Sequence, residues 1–436
     1  MKNSDSYKYT ETKLRRIACI SKKNANQRFE NLMHLFNEES LTGCFHQLER
    51  NKAVGTDKVS KDDYAKNLDK NIENLLNRMK RMAYRPGPVR QTMIPKAGGA
   101  MRSLGISNFE DKIIQKMTQK VLESIYEQVF KESSYGFRPR RGCHDAIKAL
   151  HNYLYKNEIK TVIDVDIKGF FDNINHKLLE ETLRKKIKDL KFMRYIIRMF
   201  KAGVLAKGEL KVSKEGVPQG SVCSPVLANI FAHYVVDVWL EEIVKPCIKS
   251  KIAYFRYCDD LVICCHDSND ATKIKNALEK RLAKFKLELN KEKTKLVSFS
   301  KRAFANGIKQ STFDFLGFTF YFGKSQNGYP IAKIKTSKKR YKDKLRNVKT
   351  WIKITRNKYP LTLIWKKFKV KLRGHVQYYG VSHNSEALQK FAYAAERILY
   401  KWINRRSQRK SFNWEKWNLF VKKYPRIPIK IYHKLY

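Results

Sequence analysis

The sequence predicts an α+β fold on three observations. Apolar positions of helical period fill both ends of the chain, β-branched and aromatic runs of period two fill its middle, and two of those runs meet carboxylates at their tips. With 436 residues, 42% of them hydrophobic and including 24 Phe and 23 Tyr, the chain can bury more than one core, which excludes a disordered basic tail.

Residues 10–85 read as helices. Arg28 to Arg50 is amphipathic, Tyr64 to Met82 repeats Leu68, Ile72, Leu75, Leu76 and Met79, and Ala53-Val54-Gly55-Thr56-Asp57 breaks between them. Arg85-Pro86-Gly87-Pro88 then leads into a strand, Val89 to Ile94, which can close a hairpin with Met101 to Leu104 across Gly98-Gly99. Asp111 to Phe130 is helical. Thr161-Val162-Ile163-Asp164-Val165-Asp166-Ile167 alternates β-branched residues and reads as a strand with an acidic tip. Helices follow at His176 to Lys188, Phe192 to Ala202 and Val222 to Ile243, the last introduced by Gly216-Val217-Pro218-Gln219-Gly220. Ile252 to Tyr257 and Leu261 to Cys265 flank Asp259-Asp260 as a hairpin whose turn carries two carboxylates. A helix at Ala271 to Phe285 and strands at Thr294 to Phe299 and Phe313 to Phe322 come next, and from about residue 335 the chain is helical and basic. The sequence has no internal repeat and no low-complexity linker.

Lys and Arg number 91 against 41 Asp and Glu, a formal net charge of +50. Like charge at this density opposes compaction unless a polyanion neutralises it, and its spread along the chain suits a groove that follows a nucleic-acid backbone. The cysteines (Cys19, Cys44, Cys143, Cys223, Cys247, Cys258, Cys264, Cys265) form no Cys-x-x-Cys pair and no Cys/His cluster, so neither a disulfide framework nor a structural zinc site is expected. No segment reads as a signal core or a membrane span, and the expected location is cytoplasmic.

Three acids at strand ends, far apart in sequence, suit nucleotidyl transfer. Magnesium prefers oxygen ligands, and two ions a few ångström apart can activate an attacking hydroxyl and stabilise the leaving group. A strand tipped by Asp166 beside a turn carrying Asp259 and Asp260 can bring such carboxylates together.

Phe255-Arg256-Tyr257-Cys258-Asp259-Asp260, Gly216-Val217-Pro218-Gln219-Gly220-Ser221 and Asp164-Val165-Asp166-Ile167-Lys168-Gly169-Phe170-Phe171-Asp172 resemble the palm blocks of reverse transcriptases. Ile94-Pro95-Lys96 with Arg102-Ser103-Leu104-Gly105-Ile106 is similar to the fingers block, Tyr135-Gly136-Phe137-Arg138-Pro139-Arg140-Arg141-Gly142 to the block after it, and Leu289-Asn290-Lys291-Glu292-Lys293-Thr294-Lys295 and Phe315-Leu316-Gly317-Phe318 to the later ones. Arg373-Gly374-His375-Val376-Gln377-Tyr378-Tyr379-Gly380 and Lys401-Trp402-Ile403-Asn404-Arg405-Arg406-Ser407-Gln408 resemble the thumb, or maturase domain, of bacterial group II intron-encoded proteins. The resemblance covers about residues 45 to 436. The sequence departs from that branch at Cys258, where alanine is usual, and at Arg140, where glycine is usual. It also stops shortly after the thumb, so a separate DNA-binding or nuclease domain is not expected.

The resemblance implies a right-hand polymerase: a helical N-terminal extension and fingers at 1–160, a palm at 161–325, and a helical thumb that binds RNA at 326–436. It implies RNA-directed DNA synthesis with two Mg2+, for which Mn2+ can substitute. It implies Asp166, Asp259 and Asp260 as the catalytic metal ligands, with the Ile167 carbonyl as a candidate further ligand. Lys96, Arg102, Phe170, Phe171 and Gln219 take the nucleotide side, Phe171 at the position that crowds a ribose 2′-hydroxyl. Arg138, Arg140, Arg373, His375, Arg405 and Arg406 take template or structured RNA. Asp164 and Asp172 read as structural, Trp402 and Tyr379 as helix core, and one of Lys291, Lys293 and Lys295 as a general acid. The expected partners are structured RNA, a template–primer duplex and deoxynucleoside triphosphates, with neither a membrane nor an obligate protein partner. The resemblance leaves two other roles open: a phage-defence reverse transcriptase copying a neighbouring noncoding RNA, and a non-catalytic RNA-binding splicing factor.

Overall fold

The structure, a computed structural model, describes residues 3–95, 101–206, 209–212, 214–406 and 412–436. Its strands are β1 Val89–Pro95, β2 Met101–Ile106, β3 Thr161–Val165, β4 Val204–Ala206, β5 Glu209–Lys211, β6 Ile252–Tyr257, β7 Asp260–Cys265, β8 Lys295–Ser298, β9 Phe313–Phe315, β10 Phe318–Lys324 and β11 Pro330–Thr336. They form three sheets, in the orders β2-β1-β4-β5, β6-β7-β3-β8 and β11-β10-β9. Helices and sheets are mixed along the chain, as the α+β expectation requires. Two compact units share the residues: Met1–Gly142, Val165–Ile263 and Asn269–Lys295 form one, and Cys143–Asp164, Cys264–Ser268 and Leu296–Tyr436 the other.

In the first unit the helix Phe109–Tyr126 is the hub, burying Ile113, Ile114, Met117, Val121 and Leu122 at 0% exposure. Ser21 Oγ, from the helix Asn3–Lys23, donates to Ile125 O at 2.6 Å, and Tyr126 OH donates to Leu183 O at 3.1 Å. The helix expected over Arg28 to Arg50 is shorter: it runs Glu38–Gln47, because Asn37 and Ser40 form a reciprocal capping box. Ahead of it Asn31 turns left-handed at φ 57°, and Asp189 Oδ2 accepts Leu32 N at 2.5 Å and Met33 N at 3.2 Å. The helix expected from Tyr64 to Met82 is two pieces, Lys61–Ala65 and Leu68–Lys80, interrupted at Asn67 (φ −133°, ψ 43°).

The expected strand pairing is present, β1 antiparallel with β2 from Arg90↔Ile106 to Pro95↔Met101, while Gly98-Gly99 lie outside the described residues. β1 also pairs in parallel with β4, and β4 antiparallel with β5, short strands that periodicity did not reveal. The helix expected over Val222 to Ile243 starts at Ser224 and continues to Cys247 through two wide π-type turns, His233–Asp237 and Leu240–Val244.

In the second unit the strand expected over Phe313 to Phe322 is a hairpin, β9 and β10, reversed at Leu316 (φ 50°) and Gly317 (φ 83°). Aromatic alternation still sets its buried face: Phe313 stacks on Phe320 at 5.0 Å and Phe299 on Phe322 at 4.2 Å. Helices Lys338–Thr355, Leu361–Tyr379, Ser385–Ile403 and Trp414–Lys423 follow, and Trp365 and Trp417 meet edge to face at 5.7 Å in their core. The helix Cys143–Lys156 was not picked out by the sequence reading.

Candidate active site

Asp166 follows the last residue of β3, and Asp260 opens β7, the neighbouring strand. Lys160 N donates to Cys265 O at 3.0 Å at the far end of the ladder, so β3 and β7 run antiparallel. Carried along an unbulged ladder, that register sets Asp166 across from Asp259. Both side chains are half-buried, and Asp260 is exposed.

The backbone of Asp166 is held from its other side. Asn290 N donates to Asp166 O at 2.8 Å, Lys168 N to Glu288 O at 2.9 Å, and Asp166 N to Thr294 Oγ1 at 3.2 Å. In this bridge Ile167 and Leu289 are the non-hydrogen-bonded pair, so the Ile167 carbonyl points away from residues 288–290. Lys293 Nζ lies 3.6 Å from Asp166 Oδ2, whereas Lys291 pairs with Glu279 at 2.7 Å. The structure thereby separates lysines that the sequence left equivalent.

The turn carrying Asp259 is held by residues that sequence reasoning missed. Arg256, 1% exposed on β6, donates from Nε and Nη2 to the two oxygens of Asp237 at 2.7 and 2.5 Å, from Nη1 to Cys258 O at 2.9 Å and to Asn229 Oδ1 at 3.1 Å, and from Nη2 to Ser134 Oγ at 2.7 Å. Burial alone would raise the Asp237 carboxyl, but the Arg256 charge and hydrogen bonds hold it below the ordinary carboxylate range. Cys258 is buried and left-handed at φ 62°. Gly136 lies so close that a Cβ there would sit 2.9 Å from the Tyr257 carbonyl carbon and closer still to Cys258 N. The available signal was a lone arginine inside an apolar strand, which buries only with a partner.

A second recess, about 160 Å3, is lined by Ser103, Gly105, Asp172, Pro218 and Gln219 among others. Gln219 Nε2 donates to Asp172 Oδ1 at 3.1 Å, and Gly105 N donates to Gln219 O at 2.6 Å. Gly220, at φ 111°, passes so near that a Cβ would lie 2.8 Å from Gly105 O. Arg102 is exposed on β2, paired in register with Ile94. Lys96 lies outside the described residues.

Other sequence-derived assignments need correction. Phe170 is 2% exposed and packs edge to face on Phe171 at 5.7 Å, so it is a core residue, and Phe171 is the half-buried one. Arg138 is buried: its guanidinium donates to Glu127 Oε1 at 2.9 Å and to the carbonyls of Lys131 and Ser134 at 2.8 Å, which turns it inward from any phosphate. His375 stacks on Phe391 at 3.6 Å, and burial pushes its pKa down to about 3, so a buried neutral ring stands where an RNA contact was expected. Arg140 and Arg373 are exposed, Arg405 is exposed over the Trp402 ring at 5.1 Å, and Arg406 donates to Tyr359 O at 2.8 Å. Among the described residues no group of three or more His, Cys, Asp or Glu side chains is placed to hold a metal ion, and no helix is long and apolar enough to cross a membrane.

Carboxylates at the tips of adjacent strands suit a nucleotidyl-transfer site. The family model described as "Reverse transcriptase (RNA-dependent DNA polymerase)" matches residues 94–320, and the chain belongs to that family. It is similar to the group II intron-encoded protein LtrA of Lactococcus lactis subsp. cremoris, 36% identical over 222 residues, covering 50% of this chain and 37% of LtrA. It is also similar to the protein YkfC of Escherichia coli K12, 32% identical over 275 residues, covering 56% of this chain and 71% of YkfC. A third relative, the uncharacterized 91 kDa protein in the cob intron of Schizosaccharomyces pombe, is 33% identical over 220 residues, covering 50% of this chain and 26% of that protein. The match to LtrA thus spans little more than a third of that protein.

Proposed function

We propose that this chain is an RNA-directed DNA polymerase of right-hand architecture that also binds structured intron RNA. The reading is carried by the Lys160 N–Cys265 O hydrogen bond between the antiparallel neighbours β3 and β7, whose register, extended past the strand ends, would bring Asp166 opposite Asp259. Residues 1–160 are assigned to extension and fingers, 161–325 to the palm and 326–436 to the thumb.

The donor set fits magnesium: all donors are oxygens, Asp166 and Asp259 are only half-buried, and the Lys293 ammonium beside Asp166 marks a place where positive charge is favoured. A closed protein cage is not required, because Mg2+ takes one or two carboxylates and completes its shell with water and substrate phosphate. Asp166, Asp259 and Asp260, with the Ile167 carbonyl, would hold two ions, which when bound activate the primer 3′-hydroxyl and neutralise charge on the leaving pyrophosphate. Gln219, tied to Asp172 and Gly105, and the half-buried Phe171 shape the sugar side of the incoming nucleotide. Arg102 meets its phosphates, and Lys293 delivers a proton to pyrophosphate. Arg140, Arg373 and Arg405 meet RNA phosphates, while Arg138 and His375 support the fold. The similarity to LtrA, whose name states that a group II intron encodes it, favours intron RNA as the structured partner.

The test is extension of a DNA primer on an RNA template by the purified chain. Asp259→Asn with Asp260→Asn should abolish cDNA and leave RNA affinity within about twofold, since no phosphate contact is removed. Extension by the double variant would overturn the reading.

A further inference from the structure

The helical part of the second unit holds a cavity of about 270 Å3 unrelated to the acidic site. Its floor is Trp365, Phe368 and Leu372, all buried on the helix Leu361–Tyr379. Tyr393 and Trp414 line its mouth, and they are 64% and 51% exposed. Aromatic rings left this open at an apolar recess are costly without an occupant. Trp414 is already stacked on Tyr400 at 4.2 Å with the planes 11° apart, which holds the indole rigid before anything binds.

We propose that this cavity receives one unpaired nucleobase of a bound RNA, an inference that rests on the nucleic-acid reading above. Three features single out that occupant. The volume falls just below the range of drug-sized ligand pockets, roughly 300–1,000 Å3, and suits a single flat ring system. The walls combine aromatic faces with Gln389, whose amide both donates and accepts toward a base edge. The rim has a positive excess: Lys369 and Arg397 border the cavity beside the paired Arg426 and Glu396, and the Arg397 guanidinium sits 5.7 Å from the Tyr393 ring. Glu396, the acid at the rim, is bound by Arg426 at 2.7 Å and by Trp417 Nε1 at 3.0 Å, so it does not repel a phosphate as a bare carboxylate would. A base seated inside therefore leaves its backbone against Arg397 and Lys369.

The probes are a single-stranded oligoribonucleotide carrying 2-aminopurine at its centre and the same strand fully paired. Trp414→Ala and Tyr393→Ala should each weaken binding of the single strand about tenfold, the size of one base stack. Duplex binding should stay within about twofold. Loss of stacking leaves the salt slope of binding unchanged, whereas Arg397→Gln should lower it by about one. Ala392→Phe, which fills the cavity while keeping every aromatic ring, should reproduce the tenfold loss and the loss of 2-aminopurine quenching, even if Trp414→Ala disturbs folding. Equal effects on paired and unpaired probes, or no effect on either, would overturn the assignment. So would concentration-dependent self-association that the same variants abolish, because a second copy of the chain would then be the occupant. Primer extension is measured alongside: its absence in the unsubstituted chain would defeat the polymerase reading, while the base-pocket result would be decided by the binding data alone.

Discussion

Lys293 presents its ammonium to Asp166 across 3.6 Å, while Lys291, two residues earlier in the same turn, is drawn off to Glu279. The Asn290 side chain fixes the difference by accepting Lys293 N at 3.3 Å, and Asn290 N anchors the turn to Asp166 O at 2.8 Å. On the proposed reading Asp166 would hold a metal ion, and a lysine beside it would stand near the departing pyrophosphate.

Lys293→Ala should therefore slow single-turnover nucleotide incorporation by about 10²-fold or more, the range of a lost general acid. Because the pair is largely exposed, thermal stability should move by no more than about 1 kcal/mol. Lys291→Ala should leave the incorporation rate unchanged. Rapid-quench incorporation and a melting curve check both, and equal rates for the two variants would remove Lys293 from the chemistry.

Arg256→Met leaves Asp237 buried without its partner and should cost about 3–5 kcal/mol in urea unfolding. The pH response carries the sign. In the unsubstituted chain the Asp237 carboxyl is depressed, so its contribution is present above the unfolded value of about 3.9 and is lost as pH falls through the lower folded value. In the variant burial outweighs the remaining His233 contact, 3.7 Å away, and raises that carboxyl, so the destabilisation should shrink on acidification. Urea midpoints between about pH 6 and pH 3 test it.

Asp111 shows the opposite sign. It is 4% exposed, accepts Tyr84 OH at 2.5 Å and Gly87 N at 3.1 Å, and burial pushes its pKa up to about 7. Its contribution is full below the unfolded value of about 3.9 and is lost as pH rises through about 7. The stability of the unsubstituted chain relative to Asp111→Asn should thus fall by a few kcal/mol between about pH 4 and pH 7, at most about 1.4 kcal/mol for each step of one in pH. A flat difference over that range would show that Asp111 stays ionised.

Gly220→Ala would place a methyl group 2.8 Å from Gly105 O at a left-handed backbone position. The Gly105–Gln219 hydrogen bond should break, and KM for deoxynucleotides should rise more than kcat falls. The stability cost should be about 1–3 kcal/mol. Steady-state extension at varied nucleotide concentration checks the split.

The acidic tips were legible because β-branched alternation marks strands and a charged residue at the end of an apolar run marks the tip: Asp166 follows β3 and Asp259 stands in the turn as the pattern put them, while Asp260, expected in that turn, opens β7. The break ahead of Glu38 was not, since it depends on Asp189, remote in sequence, capping Leu32 and Met33. Arg138 and Arg140 look alike in a basic motif, yet Glu127 draws one inward and leaves the other in solvent. The role of Arg256 was hidden for a related reason: its partners, Ser134, Asn229 and Asp237, assemble only in the folded chain.

The π-type turn at His233–Asp237 bears on what changes of length this helix can absorb. Asn229 and Asp237, eight residues apart, both reach the Arg256 guanidinium, although at about 100° per residue an ordinary α-helix would turn a residue eight steps on well away from the start and bring one seven steps on almost in line. The extra residue in the wide turn absorbs that offset. Removing Val235 or Val236 should let the helix tighten to regular pitch with both side chains still aimed at the arginine, whereas adding a residue there would swing Asp237 off the guanidinium and loosen the bend that presents Asp259.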